Sequence, residues 1–243
     1  MRTTRLIPRL LLAGVAATAA LLAGCTQGGT PGTEPTTPAP ASNGVADLSA
    51  DEILTKAGEA LDKATSYRVK GEMTEEGEAV TIDMVVAGED IAGSFSAEGQ
   101  SFEIIKVGQD VYLMPPQALI DLLAMGEGGD LVKTMLAGKY IKTTTDDENF
   151  ADLTEKTNLT EELLSTEGTA TKGEATTVDG VAAIAVTKGD DTFYVATEGE
   201  PYLLKVENSK EGGSLTFSEF NSAPAPAAPP ADKVVDLAAL GLK

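Results

Sequence analysis

Apolar positions along this chain change their period from segment to segment. Residues 10–22 are continuously apolar, mostly Leu and Ala without a charge, and they follow Arg2, Arg5 and Arg9. Residues 26–46 have no apolar period at all: they are Thr, Pro, Gly and Ala with a single charge. Ser49-Ala50-Asp51-Glu52 then has capping-box spacing, and Ile53, Ala57, Ala60, Leu61 and Ala64 fall on one helical face. From Tyr67 the period becomes two. Tyr67, Val69, Gly71 and Met73 alternate with Arg68, Lys70, Glu72 and Thr74, and Val80, Ile82, Met84 and Val86 repeat the pattern beyond Gly77. Runs over 91–97, 101–107 and 111–114, punctuated by Gly99 and Gly108, extend this into a five-strand antiparallel meander.

Helical spacing returns over 117–125 and 130–136, between Pro115-Pro116 and Gly138, and again, interrupted by Thr and Asn, from Phe150 to Leu164. Alternation resumes over 168–178, 181–188, 192–197, 202–208 and 214–220, before a Pro/Ala-rich tail from about 221 that closes with an apolar stretch, 234–240. The order helix, sheet, helices, sheet predicts an α+β domain with about ten strands.

The first apolar run has 13 residues, short of the roughly 20 that a spanning helix needs, and its basic front and small-residue end are those of a secretory signal. It ends in Leu22-Ala23-Gly24-Cys25, which resembles the bacterial lipobox. That resemblance implies cleavage before Cys25, with the sulfur carrying diacylglycerol. A single acyl chain binds a membrane marginally and two bind it stably, so such an anchor would hold the chain on the outer face of the cytoplasmic membrane. Cys25 is the sole cysteine, which rules out an intramolecular disulfide. The predicted organisation is a signal over 1–24, the lipidated cysteine and a tether over 25–46, and a folded domain over 47–243. A flexible tether of that length spans roughly 25 Å.

Charge narrows the partners. The chain carries 18 Lys and Arg against 38 Asp and Glu, a net −20, and loss of the three signal arginines takes the mature chain to −23. Such a surface repels nucleic acid and anionic lipid alike. Chemistry is narrowed as well. The chain has no histidine, the commonest general base and metal ligand near neutral pH. Beyond the signal there is no Ser-x-x-Lys and no Gly-x-Ser-x-Gly. The acidic groups Glu75-Glu76-Gly77-Glu78, Asp146-Asp147-Glu148 and Asp190-Asp191 lack the alternating ligand spacing of a calcium loop and read as solvated turns. Asn158-Leu159-Thr160 matches a glycosylation sequon by chance. No enzyme, no metal and no cofactor is expected beyond the covalent lipid on Cys25.

Several phrases, in this order, resemble the actinobacterial LppX/LprA/LprF/LprG lipoproteins and, more distantly, the LolA and RseB folds. They are Tyr67-Arg68-Val69, Val107-Gly108-Gln109-Asp110-Val111-Tyr112, Gly138-Lys139-Tyr140-Ile141-Lys142, Val178-Asp179-Gly180-Val181 and Phe217-Ser218-Glu219-Phe220. The resemblance covers most of 47–235. It implies a curved, half-open antiparallel sheet, an incomplete barrel, whose concave face is covered by helices from residues 115–165 and holds lipid or an acylated glycolipid.

Candidate lining residues are Val69, Met73, Ile82, Met84, Ile91, Phe95, Phe102 and Ile104, all on expected dry faces. Singly, each reads more readily as ordinary core than as a ligand contact. As a set mixed with Gly, Ala and adaptable Met, they read as the wall of an apolar cavity, with a mobile cover hinged at Gly126-Glu127-Gly128-Gly129. The expected role is carrier or chaperone of lipid in the cell envelope. The alternative is a module that binds a membrane sensor or other envelope protein and moves no lipid. The anchor is testable in cells: Cys25→Ala should abolish metabolic lipid labelling and leave an uncut, mislocalised precursor.

Overall fold

A computed structural model describes residues 41–75, 77–125, 129–145, 164 and 166–236. The signal, Cys25, residues 26–40, Glu76, residues 126–128, Asp146-Asp147-Glu148, the helical reading of 150–163, Asn158 and residues 237–243 lie outside the described residues. The described residues all belong to the unit Pro40–Lys243. Its contacts begin early: Ser42 bridges Glu198, and the Asn43 side-chain amide donates to the carbonyls of Ala196 (3.0 Å) and Gly199 (3.2 Å).

After a 3-10 turn, Val45–Asp47, helix α1 runs over Ala50–Lys63. Glu52 closes its start, accepting from both the Ser49 amide (3.0 Å) and the Ser49 hydroxyl (2.6 Å), and these bonds hold its carboxyl below the usual range. Five strands follow: β1 (Ser66–Glu75), β2 (Glu78–Ala87), β3 (Asp90–Ala97), β4 (Gln100–Val107) and β5 (Asp110–Met114). Helices α2 (Gln117–Leu123) and α3 (Gly129–Leu136) lead to β6 (Tyr140–Thr144). Strands β7 (Thr171–Val178), β8 (Val181–Lys188), β9 (Asp191–Ala196), β10 (Leu203–Asn208) and β11 (Gly213–Ser218) precede a final short β12 (Val234–Asp236).

All twelve strands join one open sheet in the order β12-β6-β5-β4-β3-β2-β1-β11-β10-β9-β8-β7. The two meanders meet where β1 pairs with β11, and every pairing is antiparallel except β12 on β6. Two strands exceed the ten expected. β6 is short and set among Lys and Thr, and β12 contributes three residues, so neither shows a run long enough for a period of two to register. Hairpin turns fix the register. Glu98-Gly99 (φ 52° and 74°) joins the pair Ala97–Gln100, and Asp179-Gly180 (φ 49° and 84°) joins Val178–Val181; both are left-handed two-residue loops that match strand twist.

Curvature has a local cause. A Cβ on Gly71 would lie 1.9 Å from the Ser214 carbonyl oxygen, and one on Gly213 would lie 2.3 Å from that of Glu72. The β1–β11 junction thus brings backbones closer than any side chain allows, the arrangement by which glycines let a sheet bend.

The polar face carries charge. Arg68 grips Asp83 with two bonds of 2.8 Å and reaches Glu219 at 3.4 Å, while Lys70 lies 3.2 Å from Asp83. The Arg68 guanidinium, foremost, holds the Asp83 carboxyl below its ordinary range.

Two outcomes follow. Gly71→Ala should cost about 1–3 kcal/mol, read as a lower urea midpoint at unchanged slope. Asp83→Asn should cost about 1 kcal/mol near neutral pH, because the pair is two-thirds or so covered rather than buried. A depressed carboxyl stabilises the fold above its unfolded value, about 3.9, and that contribution disappears as pH falls through the folded value; the gap between variant and parent should therefore close in acid.

Candidate functional site

Because directly opposed residues share a face, the register assembles the apolar side chains into rows that cross the strands. One row runs Phe217, Val69, Met84, Gly93, Ile104, Leu113, Ile141 and Val235, one residue from each of β11, β1, β2, β3, β4, β5, β6 and β12. On one side of it lie Tyr67, Val86 and Ile91, then Lys106, Val111 and Thr143. On the other lie Leu215, Gly71, Ile82, Phe95 and Phe102, and beyond them Met73, Val80 and Ala97. All eight candidate residues sit on this one face.

Two separate helical covers pack on it. Ile53, Leu54, Ala57 and Leu61 of α1 cover the β1 and β8–β11 half, in a core with Val69, Met84, Val186, Phe193, Val195, Leu203, Leu215 and Phe217. At the other end Ile120 of α2 and Leu136 of α3 close over Ile141 and Val235. Between them Ile91, Ile104 and Val111 form a third group, which Val86 and Phe95 link to the α1 core.

Burial divides the candidates. Val69, Ile82, Met84, Ile91 and Ile104 are buried. Met73, Phe95 and Phe102 are half-buried, with Val80 and Leu113 beside them. The Phe95 and Phe102 rings stack at 5.0 Å between centroids, 15° from parallel. Met73, Val80 and Phe95 pack against the margin of the α1 core, and Phe102 lies beyond Phe95 on β4.

Leu113, Ile141 and Val235 carry the row onward, and the sequence reading did not include them. Alternation in Val111-Tyr112-Leu113 is a signal that could have supplied the first. Ile141 and Val235 stand in strands too short to announce themselves.

The face is also chemically plain. Its one cation near the middle strands, Lys106, donates to the Glu89 carbonyl (2.7 Å), and Lys172 on β7 donates to the carbonyls of Ala46 and Leu48, both at 3.0 Å. Among the described residues every buried polar side-chain atom has a hydrogen-bond partner, and no three His, Cys, Asp or Glu residues gather to hold a metal.

The ion pair and phenols of β4, β5 and β6 belong to the opposite face. Lys142 meets Asp110 at 2.9 Å and lies 5.8 Å over the Tyr112 ring. The Tyr140 hydroxyl donates to Glu103 (2.6 Å), and burial first, then that bond, pushes it up to about 12. These contacts tie β4, β5 and β6 together on the side away from the apolar rows. What the inner face offers a ligand is apolar area.

No protein-family model matches the chain, and no curated protein does. Solved structures do. LprF from Mycobacterium bovis is 12% identical and matches over 74% of this chain and 96% of its own, with a TM-score of 0.49. The Mycobacterium tuberculosis lipoprotein LppX is 13% identical over 73% of this chain and 98% of its own, with a TM-score of 0.43. An uncharacterized conserved protein from Thermus thermophilus is 10% identical over 77% and 98%, with a TM-score of 0.38. LprF and LppX, to which the sequence phrases pointed, are thus among the structures to which this chain is similar.

Proposed function

We propose that this chain is an exported lipoprotein, anchored through Cys25 on the outer face of the cytoplasmic membrane, whose inner sheet face holds the acyl chains of a lipid or acylated glycolipid. Its role is then carrier or chaperone within the cell envelope. The observation that supports this most is the apolar face that continues across eight strands under two separate helical covers and, in the rows beside Val69 and Ile104, leaves Met73, Phe95 and Phe102 half-buried.

The buried and half-buried residues then divide the work. Val69, Met84 and Ile104 hold the sheet together. Met73, Phe95 and Phe102 contact the guest, where a polarizable thioether and a stacked ring pair accept methylene chains without demanding one shape. Removing acyl chains from water supplies the affinity, about 0.8 kcal/mol per buried methylene. Specificity for a headgroup falls to whatever polar groups ring the row.

Native mass spectrometry, then organic extraction, tests this on residues 26–243 made without signal or anchor in a lipid-containing host, so that any lipid found is a guest. Discrete mass additions that extract as phospholipid or glycolipid are expected. A bare protein that also refuses added lipid would contradict the reading and turn attention to protein partners. Phe102→Asp should remove the additions while the thermal midpoint stays close to that of the parent. Ile104→Ala, in contrast, should cost about 2–5 kcal/mol of stability, as a buried truncation does.

A further inference from the structure

Large apolar side chains in water are concentrated in one place on this protein. Of the five exposed ones among the described residues, four are on the α2–α3 pair: Leu119 (39% exposed), Leu122 (58%), Met125 (77%) and Leu131 (64%). The fifth, Val181, is on β8, toward the other end of the sheet. Leu119, Leu122 and Met125 follow one another at intervals of three along α2 and its last turn, where the Met125 amide donates to the Leu122 carbonyl.

The same two helices use other residues to hold the sheet. Ile120 and Leu136 turn inward to Ile141 and Val235, and Lys133 of α3 clasps Asp121 of α2 at 2.8 Å. The pair is therefore two-sided: one apolar side closes the sheet, and a second has no partner within the described protein.

Charge distinguishes this region from the rest. Residues 115–145 contain Asp121, Glu127 and Asp130 against Lys133, Lys139 and Lys142, a balance of zero in a mature chain of −23. An anionic leaflet repels the bulk of this protein and is indifferent to this part. Among the described residues no helix is long and apolar enough to cross a membrane, so contact would be at the interface.

We infer that the exposed side of α2–α3 docks on the outer leaflet of the bilayer that carries the protein. This rests on the anchored lipid carrier proposed above and adds where that carrier meets its membrane. Cys25 and the first described residue, Ala41, are separated by no more than about 55 Å of chain even at full extension, so an anchor keeps the patch at high effective concentration near lipid. A weak apolar contact then suffices to orient the domain. The helices that touch the leaflet are those that close the apolar row at Ile141 and Val235, which places the end of the row next to its source of acyl chains.

The test uses the mature chain purified with its anchor, mixed with vesicles of four parts phosphatidylcholine to one part phosphatidylglycerol. An environment-sensitive nitrobenzoxadiazole probe is attached at Met125→Cys or, for comparison, at Val181→Cys. Flotation with the vesicles first reports the anchor. The probe at 125 should shift to the blue and be quenched by spin-labelled lipid, the probe at 181 should do neither, and Leu122→Asp with Leu131→Asp should abolish the response at 125 while the chain still floats. A floating chain whose probe at 125 stays in water overturns the docking and leaves the anchor standing. A blue shift that needs no vesicles and grows with protein concentration assigns the face to a second copy and likewise overturns it. A chain that does not float overturns the anchor, and the docking with it.

Discussion

An open sheet of twelve strands with one apolar face presents more dry surface than a single helix can cover, and the rest of this structure answers that constraint. At about 4.8 Å per strand, an eight-strand row runs about 34 Å, while a helix lies only about 10 Å wide across it. Closing the sheet into a barrel would remove both edges, but here β12 and β7 remain as edges and cover comes from helices instead. α1 seals one half with Ile53, Ala57 and Leu61, and α2–α3 seals the far end with Ile120 and Leu136. Between them Ile91, Ile104 and Val111 are buried as a group of their own, and Phe102 beside them is left half-covered.

That division explains why the same kind of residue does different work along one face. Val69 and Phe102 both sit on the inner side, yet Val69 is wholly buried under α1 and Phe102 is only half-covered. Their difference is positional, set by which strand and which row each occupies. The polar side is organised separately, through Arg68–Asp83–Lys70 on β1 and β2 and Lys142–Asp110 on β6 and β5, which place their charges away from the dry side. Glycines at the β1–β11 junction let the sheet bend without a side chain intervening.

Much of this was legible in the sequence because a period of two is unambiguous where strands are long. The alternation from Tyr67 to Met73 and from Val80 to Val86 put Val69, Met73, Ile82 and Met84 on one side, and the register bears that out. The Ser49–Glu52 box marked the start of α1. Short strands were opaque: Ile141 is flanked by Tyr140 and Lys142, and Val235 lies in a three-residue strand that pairs parallel, so no local pattern tied them to the row. Nor could a period say how deeply each inner residue is covered, since that depends on where α1 ends and α2–α3 begins. Leu119, Leu122 and Leu131 were equally silent, because an apolar helical residue reads as core until the packing shows which side of the helix is spare.

The central claim is that acyl chains lie on the inner sheet face between the two covers, and photo-crosslinking tests it most directly. A phospholipid with a diazirine near the end of one acyl chain, irradiated with the protein and mapped by peptide sequencing, should label β1, β3 and β4 at Met73, Phe95 and Phe102. Labelling confined to the exposed side of α2–α3, or absent from the protein altogether, would contradict the account.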